Sequence, residues 1–342
     1  MFAHMTQRGD KSMFAIPPRR LRTAFAVFTS IAAGPMGAGP ALAQGAASWP
    51  SQPIRFIVPY PTGTQTDITA RIIGNEITQA TGQPVIVDNR PGASTLIGAE
   101  ALAKSAPDGY TIMLTTNTTS AANKSLFIRL PYDPLKDFAY VGLLNTTSQV
   151  LVGRADIPAN TLDEFLAWAR KQKNLEAGHW SAGSQVSVAM LKSLGGIDLL
   201  PVPYKGGPQA VTDVLGGQIA LTFTDFSSAL PHIKNGKLKG IGITAPKRSS
   251  VAPQIPALAE SIPGFDVLVW TAIVAPAGTP QSIIAKLNGI VNHGLARPEV
   301  KAKFADIGFD VSPSSPEELT RFVEREIDRW KKLVDNAGIA PQ

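Results

Sequence analysis

Three short segments carry the residue types best suited to holding a small anion. The first, Pro61-Thr62-Gly63-Thr64-Gln65-Thr66-Asp67, follows Tyr60 and sets hydroxyls and a glycine ahead of a helical pattern. A glycine lets backbone approach an anion closely, and the unpaired N–H groups of a following helix terminus add donors and partial positive charge. The same residues equally make an ordinary capped helix, because Thr64 and Asp67 have capping-box spacing and an acid in the first turn suits the helix dipole. The segment lacks the Gly-Lys-Ser/Thr ending of a nucleotide P-loop and the glycine spacing of a dinucleotide site. The second segment, Lys205-Gly206-Gly207, offers a cation beside glycines that either approach a ligand or simply turn a strand into a helix. In the third, Asp225 ends an apolar strand and is either a cleft acid or a helix cap. Tyr60, Trp180 and Trp270 could wall a cleft, although isolated aromatics commonly fill cores.

Nothing comparable assembles for catalysis. Beyond His4 the histidines are His179, His232 and His293, with no second ligand at metal-site spacing around them. A Gly-x-Ser-x-Gly elbow is absent, and Ser181 and Ser184 near His179 are neighbours in sequence, which does not make a triad. The absence of cysteine excludes disulfides, thiolate catalysis and thiolate metal sites. Neither catalytic residues, nor a metal, nor a cofactor is therefore expected.

The elements that would position these segments follow from length and patterning. A chain of 342 residues suits two domains of common size, and 44% hydrophobic with 17% charged residues describes a globular protein. The net charge of +6 belongs mainly to the first 43 residues, which hold five basic residues (Arg8, Lys11, Arg19, Arg20, Arg22) and one acid, Asp10. An apolar stretch from Ala24 to Ala33 and an Ala41-Leu42-Ala43 ending complete the order of a signal peptide, so cleavage after Ala43 and a periplasmic destination are expected. Without that segment 27 basic and 25 acidic residues remain; no basic run follows, which speaks against nucleic-acid binding.

After Ala43 the pattern alternates strand, loop and helix. Strands at residues 54–58, 85–87 and 110–114 end in loops rich in hydroxyls: Thr62, Thr64 and Thr66, then Ser94, then Thr115 to Ser120 with Asn117. A second half repeats this pattern, with strands expected at 179–182, 199–204, 219–223 and 240–244, and an apolar strand at 267–275 reads as a return crossing. Such alternation implies an α/β fold of mostly parallel sheets covered by helices, with ligands at the carboxyl ends of the strands. The expected arrangement is two lobes, residues 44–148 with 272–342 and residues 149–271, joined by two crossings that act as a hinge.

Several segments occur in an order that identifies a family. They are Tyr60 to Asp67, Asn89-Arg90-Pro91-Gly92-Ala93, Ala106-Pro107-Asp108-Gly109-Tyr110-Thr111, Leu130-Pro131-Tyr132-Asp133-Pro134, Pro203-Tyr204-Lys205-Gly206, Leu215-Gly216-Gly217-Gln218 and Ala275-Pro276-Ala277-Gly278-Thr279-Pro280. Over roughly residues 49–337 the chain resembles the substrate-binding proteins of tripartite tricarboxylate transporters, also called Bug proteins. The resemblance implies a type II periplasmic-binding-protein fold and a membrane permease of one large and one small subunit as partner. It also implies a carboxylate ligand: a di- or tricarboxylate, an acidic amino acid or an aromatic acid. By the same resemblance the ligand carboxylate is held by Thr62, Gly63, Thr64, Thr66 and Asp67. Second-lobe contacts would come from Ser181, Ala182, Gly183, Ser184 and Gln185, from Tyr204, Lys205 and Gly206, and from Asp225. Two places depart from the family, since its usual glycine pairs are here Gly63-Thr64 and Ser94-Thr95. A side chain at each place narrows the pocket or adds a hydroxyl. The expected protein is a monomeric binding protein for a small organic anion, and not an enzyme. The alternatives are an exported carboxylate sensor subunit and a periplasmic hydrolase.

Overall fold

The computed structural model describes residues 49–249 and 251–342; the expected signal segment, residues 1–43, lies outside the described residues. The chain begins with β1 (Ile54–Val58), in which Ile54, Phe56, Ile57 and Val58 are all buried, as a strand covered on both faces requires. There follow α1 (Gln65–Thr81), β2 (Val85–Asn89), α2 (Leu96–Ala103) and β3 (Thr111–Thr116). A π-type turn at Thr118–Ala122 then runs into the short α3 (Asn123–Leu126), followed by the long β4 (Phe138–Ser148). The next stretch holds β5 (Val150–Arg154), α4 (Leu162–Ala169), β6 (Leu175–His179), α5 (Ala182–Ser193) and β7 (Leu199–Pro203). It continues through α6 (Gly207–Leu215), β8 (Leu221–Thr224), α7 (Phe226–Lys234) and β9 (Leu238–Ile243). The last elements are β10 (Leu268–Pro276), α8 (Gln281–Ala296), α9 (Pro298–Asp306), β11 (Asp310–Val311) and α10 (Pro316–Asn336).

These elements form two sheets flanked by helices, ordered β11-β4-β10-β3-β1-β2 and β7-β6-β8-β5-β9. The chain leaves the first sheet at Ser148, enters the second at Val150 with only Gln149 between, and rejoins the first with β10, paired to β4 from Leu268↔Ser148 onward. The fold is two-lobed α/β, as in periplasmic binding proteins. The sheets are mixed, not mostly parallel. β1 runs parallel to β2 and β3, and β6 parallel to β7 and β8, while β10 opposes both β3 and β4 and β5 opposes β8 and β9. The antiparallel strands are those that carry the chain between sheets, and a strand entering from another lobe has no crossover helix to impose the parallel direction.

A second difference lies at β6, which ends at His179 and does not run from His179 to Ala182 as the pattern suggests. Ser181 and Ser184 explain it. Each side chain bonds the other's backbone N–H, a reciprocal cap that starts α5 at Ala182 and ends any strand before it. The C-terminal α10 is the most amphipathic helix, with Leu319, Val323, Trp330 and Val334 buried along one face. Glu326 on that face accepts bonds from the indole N–H groups of Trp270 (2.8 Å) and Trp330 (3.1 Å), so the carboxylate is satisfied where α10 covers the return strand. No described helix is long and apolar enough to cross a membrane.

Candidate functional site

The carboxyl ends of β1 and β3 in one lobe face the carboxyl ends of β6 and β8 in the other, and the two sets touch. The Ala182 N–H donates to Thr118 Oγ1 across the gap at 3.2 Å. Gly206 lies so close to the first lobe that a Cβ there would meet Pro61 Cγ at 3.2 Å. Tyr60 from the end of β1 meets Trp180 from the end of β6 edge to face, with ring centroids 5.7 Å apart and planes at 79°. Such T-shaped pairs are favourable beyond the area they bury. This aromatic pair divides the space between the lobes into two chambers.

One chamber, of about 30 Å³, is lined by Tyr60, Gln65, Thr66, Asn117, Gln149, Trp180, Ser181, Asp225 and Trp270 among others. The other, of about 230 Å³, is lined by Tyr60, Ser94, Thr95, His179, Trp180, Ser181, Gln185, Tyr204 and Lys205 among others. Of the residues expected from the sequence, Tyr60 and Ser181 border both chambers, Thr66, Asn117 and Asp225 border the first, and Ser94, Gln185, Tyr204 and Lys205 the second. Thr62, Gly63, Thr64, Asp67, Ala182, Gly183, Ser184 and Gly206 line neither.

These eight hold the walls. Thr64 is the N-cap of α1, its Oγ1 accepting from the Asp67 N–H at 3.3 Å and donating to the Pro61 carbonyl at 2.8 Å. Asp67 folds back to accept from the Gly63 N–H (2.9 Å) and from Asn89 Nδ2 (3.0 Å), and pairs with Arg71. Burial pushes the Asp67 carboxyl up, but Arg71, the Gly63 N–H and Asn89 together bring it below its usual range, so it is a fixed anion in the wall. Thr62 donates to Asn89 Oδ1 at 3.2 Å, tying the first loop to the end of β2. Gly63 has φ of 82°, a left-handed conformation that suits glycine, whereas Thr64 is extended and needs none. That answers the first departure from the family pattern: the second residue of the pair is here a cap.

The second departure has a different outcome. Ala93, Ser94 and Thr95 all have positive φ (45°, 49° and 76°), a run of three non-glycine residues in the left-handed region. A buried polar network holds them there. Thr119 Oγ1 donates to Thr95 Oγ1 (2.9 Å), Asn123 Nδ2 donates to the Ser94 carbonyl (2.9 Å), and Tyr132 OH donates to the Thr119 carbonyl (2.7 Å). Thr95 thus has its hydroxyl bound within the protein, while Ser94 is exposed at the second chamber.

Charge separates the chambers. Lys205 is exposed at the second, where Tyr204 is anchored by donating its hydroxyl to Asp213 at 2.8 Å and where burial lowers the pKa of His179. The first contains no Lys, Arg or His among its described lining residues and has one acid, Asp225. Asp225 is the N-cap residue of α7, yet its side chain makes no cap bond. It is buried at 5% exposure, and desolvation pushes its carboxyl up to about 7, only partly offset by the Gln65 N–H of the other lobe. Three buried polar atoms around this chamber have no partner: Asp225 Oδ2, Asn117 Nδ2 and Gln149 Oε1. Such groups are rare in folded proteins and are costly to leave unpaired.

Gln65, Thr116, Gln149 and Thr271 line the first chamber and were not singled out by the sequence. The available signal was Gln149 itself, which closes the polar run Asn145 to Ser148 just before the apolar start of β5, at the point where the chain crosses between lobes. A larger cavity, about 480 Å³, opens between α4 and β9. Its charged groups are already matched, Lys239 on the Ile157 and Ala159 carbonyls and Arg248 on Glu260, so it presents no unpaired charge for an anion. Among the described residues no cluster of three or more His, Asp or Glu could hold a metal.

Residues 69–339 match the tripartite tricarboxylate transporter family receptor. The chain belongs to this receptor family. Solved structures with the same architecture include the periplasmic binding protein BugD, with 30% identity, a TM-score of 0.81 and coverage of 86% of this receptor and all of BugD. Rpa4515 of R. palustris with adipate is 30% identical with a TM-score of 0.83, covering 86% of this receptor and all of that chain. MatC from Rhodopseudomonas palustris, with bound malate, is 34% identical with a TM-score of 0.78, covering 84% and all of the two chains. Members of the family are periplasmic solute-binding proteins, and this receptor shares their fold.

Proposed function

We propose that this receptor captures a small organic carboxylate between its lobes in the periplasm and delivers it, without chemical turnover, to a membrane permease of one large and one small subunit. The observation that carries this reading is the pair of chambers walled from both lobes, with hydroxyl, amide and backbone groups and a lysine at one end. Relatives that hold adipate and malate support a carboxylate as the ligand class. Binding sites of this kind are concave, with a few polar groups that fix orientation. In the hinge reading, residues 44–148 with 272–342 move against residues 149–271 about the two crossings, and a bound acid favours the closed arrangement because only there does it touch both lobes.

A thermal-shift screen of the mature protein against a panel of organic acids tests the ligand class, and calorimetry then ranks the hits. One or more carboxylates should raise the melting temperature, while the corresponding primary amides should not. A panel in which no acid shifts the transition would contradict the reading. Uptake of the winning acid by cells lacking the receptor separates transport from sensing: transport requires that uptake be lost.

A further inference from the structure

The first chamber is poorly suited to a carboxylate. Its described lining has no cation, and its single ionisable group besides the Tyr60 phenol is Asp225, itself an acid. At about 30 Å³ it has room for one or two groups the size of a water molecule. What it does have is a set of unmet hydrogen-bonding atoms on side chains more than nine-tenths buried: acceptors at Asp225 Oδ2 and Gln149 Oε1 and a donor at Asn117 Nδ2. A ligand hydroxyl is able to donate to Asp225 and to accept from Asn117, and an ammonium is able to donate to Asp225. The Tyr60 hydroxyl is hydrogen-bonded to Thr116 Oγ1 at 3.0 Å.

Resting on the carboxylate-capture reading, we infer that Asp225 reads a hydrogen-bond donor on the ligand, so that the acid captured is a hydroxy- or amino-substituted one whose carboxylate lies on the Lys205 side of the Tyr60–Trp180 pair. The negative charge of the ligand then meets the lysine, and its donor meets the buried acceptor. A plain diacid would leave Asp225 Oδ2 unpaired or bring a second negative charge against it. The raised pKa of Asp225 fits this arrangement, since a buried carboxylate without a partner is held toward its neutral form until a donor arrives.

The test is calorimetry at pH 8 on the mature protein with two matched series, succinate, malate and aspartate, then glutarate, 2-hydroxyglutarate and glutamate, repeated on Asp225→Asn. The substituted acids should bind roughly 10- to 100-fold more tightly than the plain acid of the same length, the worth of one hydrogen bond to a charged buried group. In Asp225→Asn the advantage of the ammonium-bearing acids should fall to about threefold or less. Equal affinity within both series in the wild-type protein would overturn the inference while leaving carboxylate capture intact. So would a plain diacid whose affinity rises about tenfold per unit fall in pH, because a proton on Asp225 would then be the donor. Absence of binding by every acid would contradict the carboxylate reading itself, and the inference with it.

Discussion

The two chambers share Tyr60, Trp180 and Ser181 but are built by opposite means. On the Lys205 side Ser94 and Lys205 are exposed and Gln185 and Tyr204 half-buried, and strain is stored in the backbone at Ala93 to Thr95. On the Asp225 side the backbone is relaxed and the cost lies in three buried atoms without partners. The first arrangement suits attracting an anion from water, where long-range charge matters. The second suits discriminating between anions once water is excluded, because an unpaired buried polar group penalises every ligand that does not match it.

The largest effect that would break this contrast is on stability. The Asp225 carboxyl is raised to about 7 in the folded protein, so the folded state prefers its neutral form. Below about pH 4 the carboxyl is protonated folded or unfolded and carries no penalty; the penalty grows as pH rises and is complete above pH 7. Asp225→Asn removes it. In urea unfolding without ligand, the variant should gain on the order of 3 to 4 kcal/mol relative to wild type between pH 4 and pH 8. A difference between the two proteins that does not change with pH would mean that burial does not destabilise this carboxylate.

Lys205 provides the next test, on the other side of the pair. Because the lysine is exposed, Lys205→Met should weaken binding of the preferred acid by about two- to fivefold, less than loss of a buried charge would, and the loss should shrink at high salt. An unchanged dissociation constant would return Lys205 to the solvated surface. Gly183→Ala probes the packing of α5 against the two crossings of the hinge: its Cβ would lie 2.8 Å from Val269 Cγ1 and 3.1 Å from Gln149 Oε1. Crowding of that kind typically costs about 1 to 3 kcal/mol, and here it should appear as weaker binding together with reduced compaction on ligand addition in small-angle scattering. The smallest effect is expected at Ser94, where glycine tolerates the left-handed backbone. Ser94→Gly should stabilise the protein by up to about 1 kcal/mol and leave the Asp225 side untouched, measured as a raised melting temperature with an unchanged preference among matched acids.

How much of this was legible in the sequence depends on distance along the chain. Thr64 and Asp67 announce a cap by spacing alone, and the cap is there, because both partners lie within one helical turn. The expected strand at His179 to Ala182 differs from the observed β6 because those residues alternate polar and apolar as a strand would, while the hydrogen bonds that end the strand come from Ser181 and Ser184 acting on each other. Loop hydroxyls at strand ends pointed to the side of each sheet that faces the other sheet, but not to which of them reach the space between the lobes. Thr64 turns inward to bind its own loop, while Thr62 and Asp67 are bound to Asn89 at the end of β2. Gln149 and Thr271 reach the Asp225 chamber from segments over a hundred residues apart, and only the pairing of β4 with β10 brings them together. Asp225 was recognised as either a cap or a cleft acid, and the sequence could not choose because both roles place an acid at the end of a strand and the start of a helix.

The most direct test is a crystal structure of the protein saturated with its tightest-binding acid. The ligand should lie between the lobes in contact with both Tyr60 and Trp180, its carboxylate on the Lys205 side and its donor within hydrogen-bond distance of Asp225 Oδ2. An acid found in the cavity between α4 and β9, or bound by one lobe with Tyr60 and Trp180 untouched, would contradict capture between the lobes.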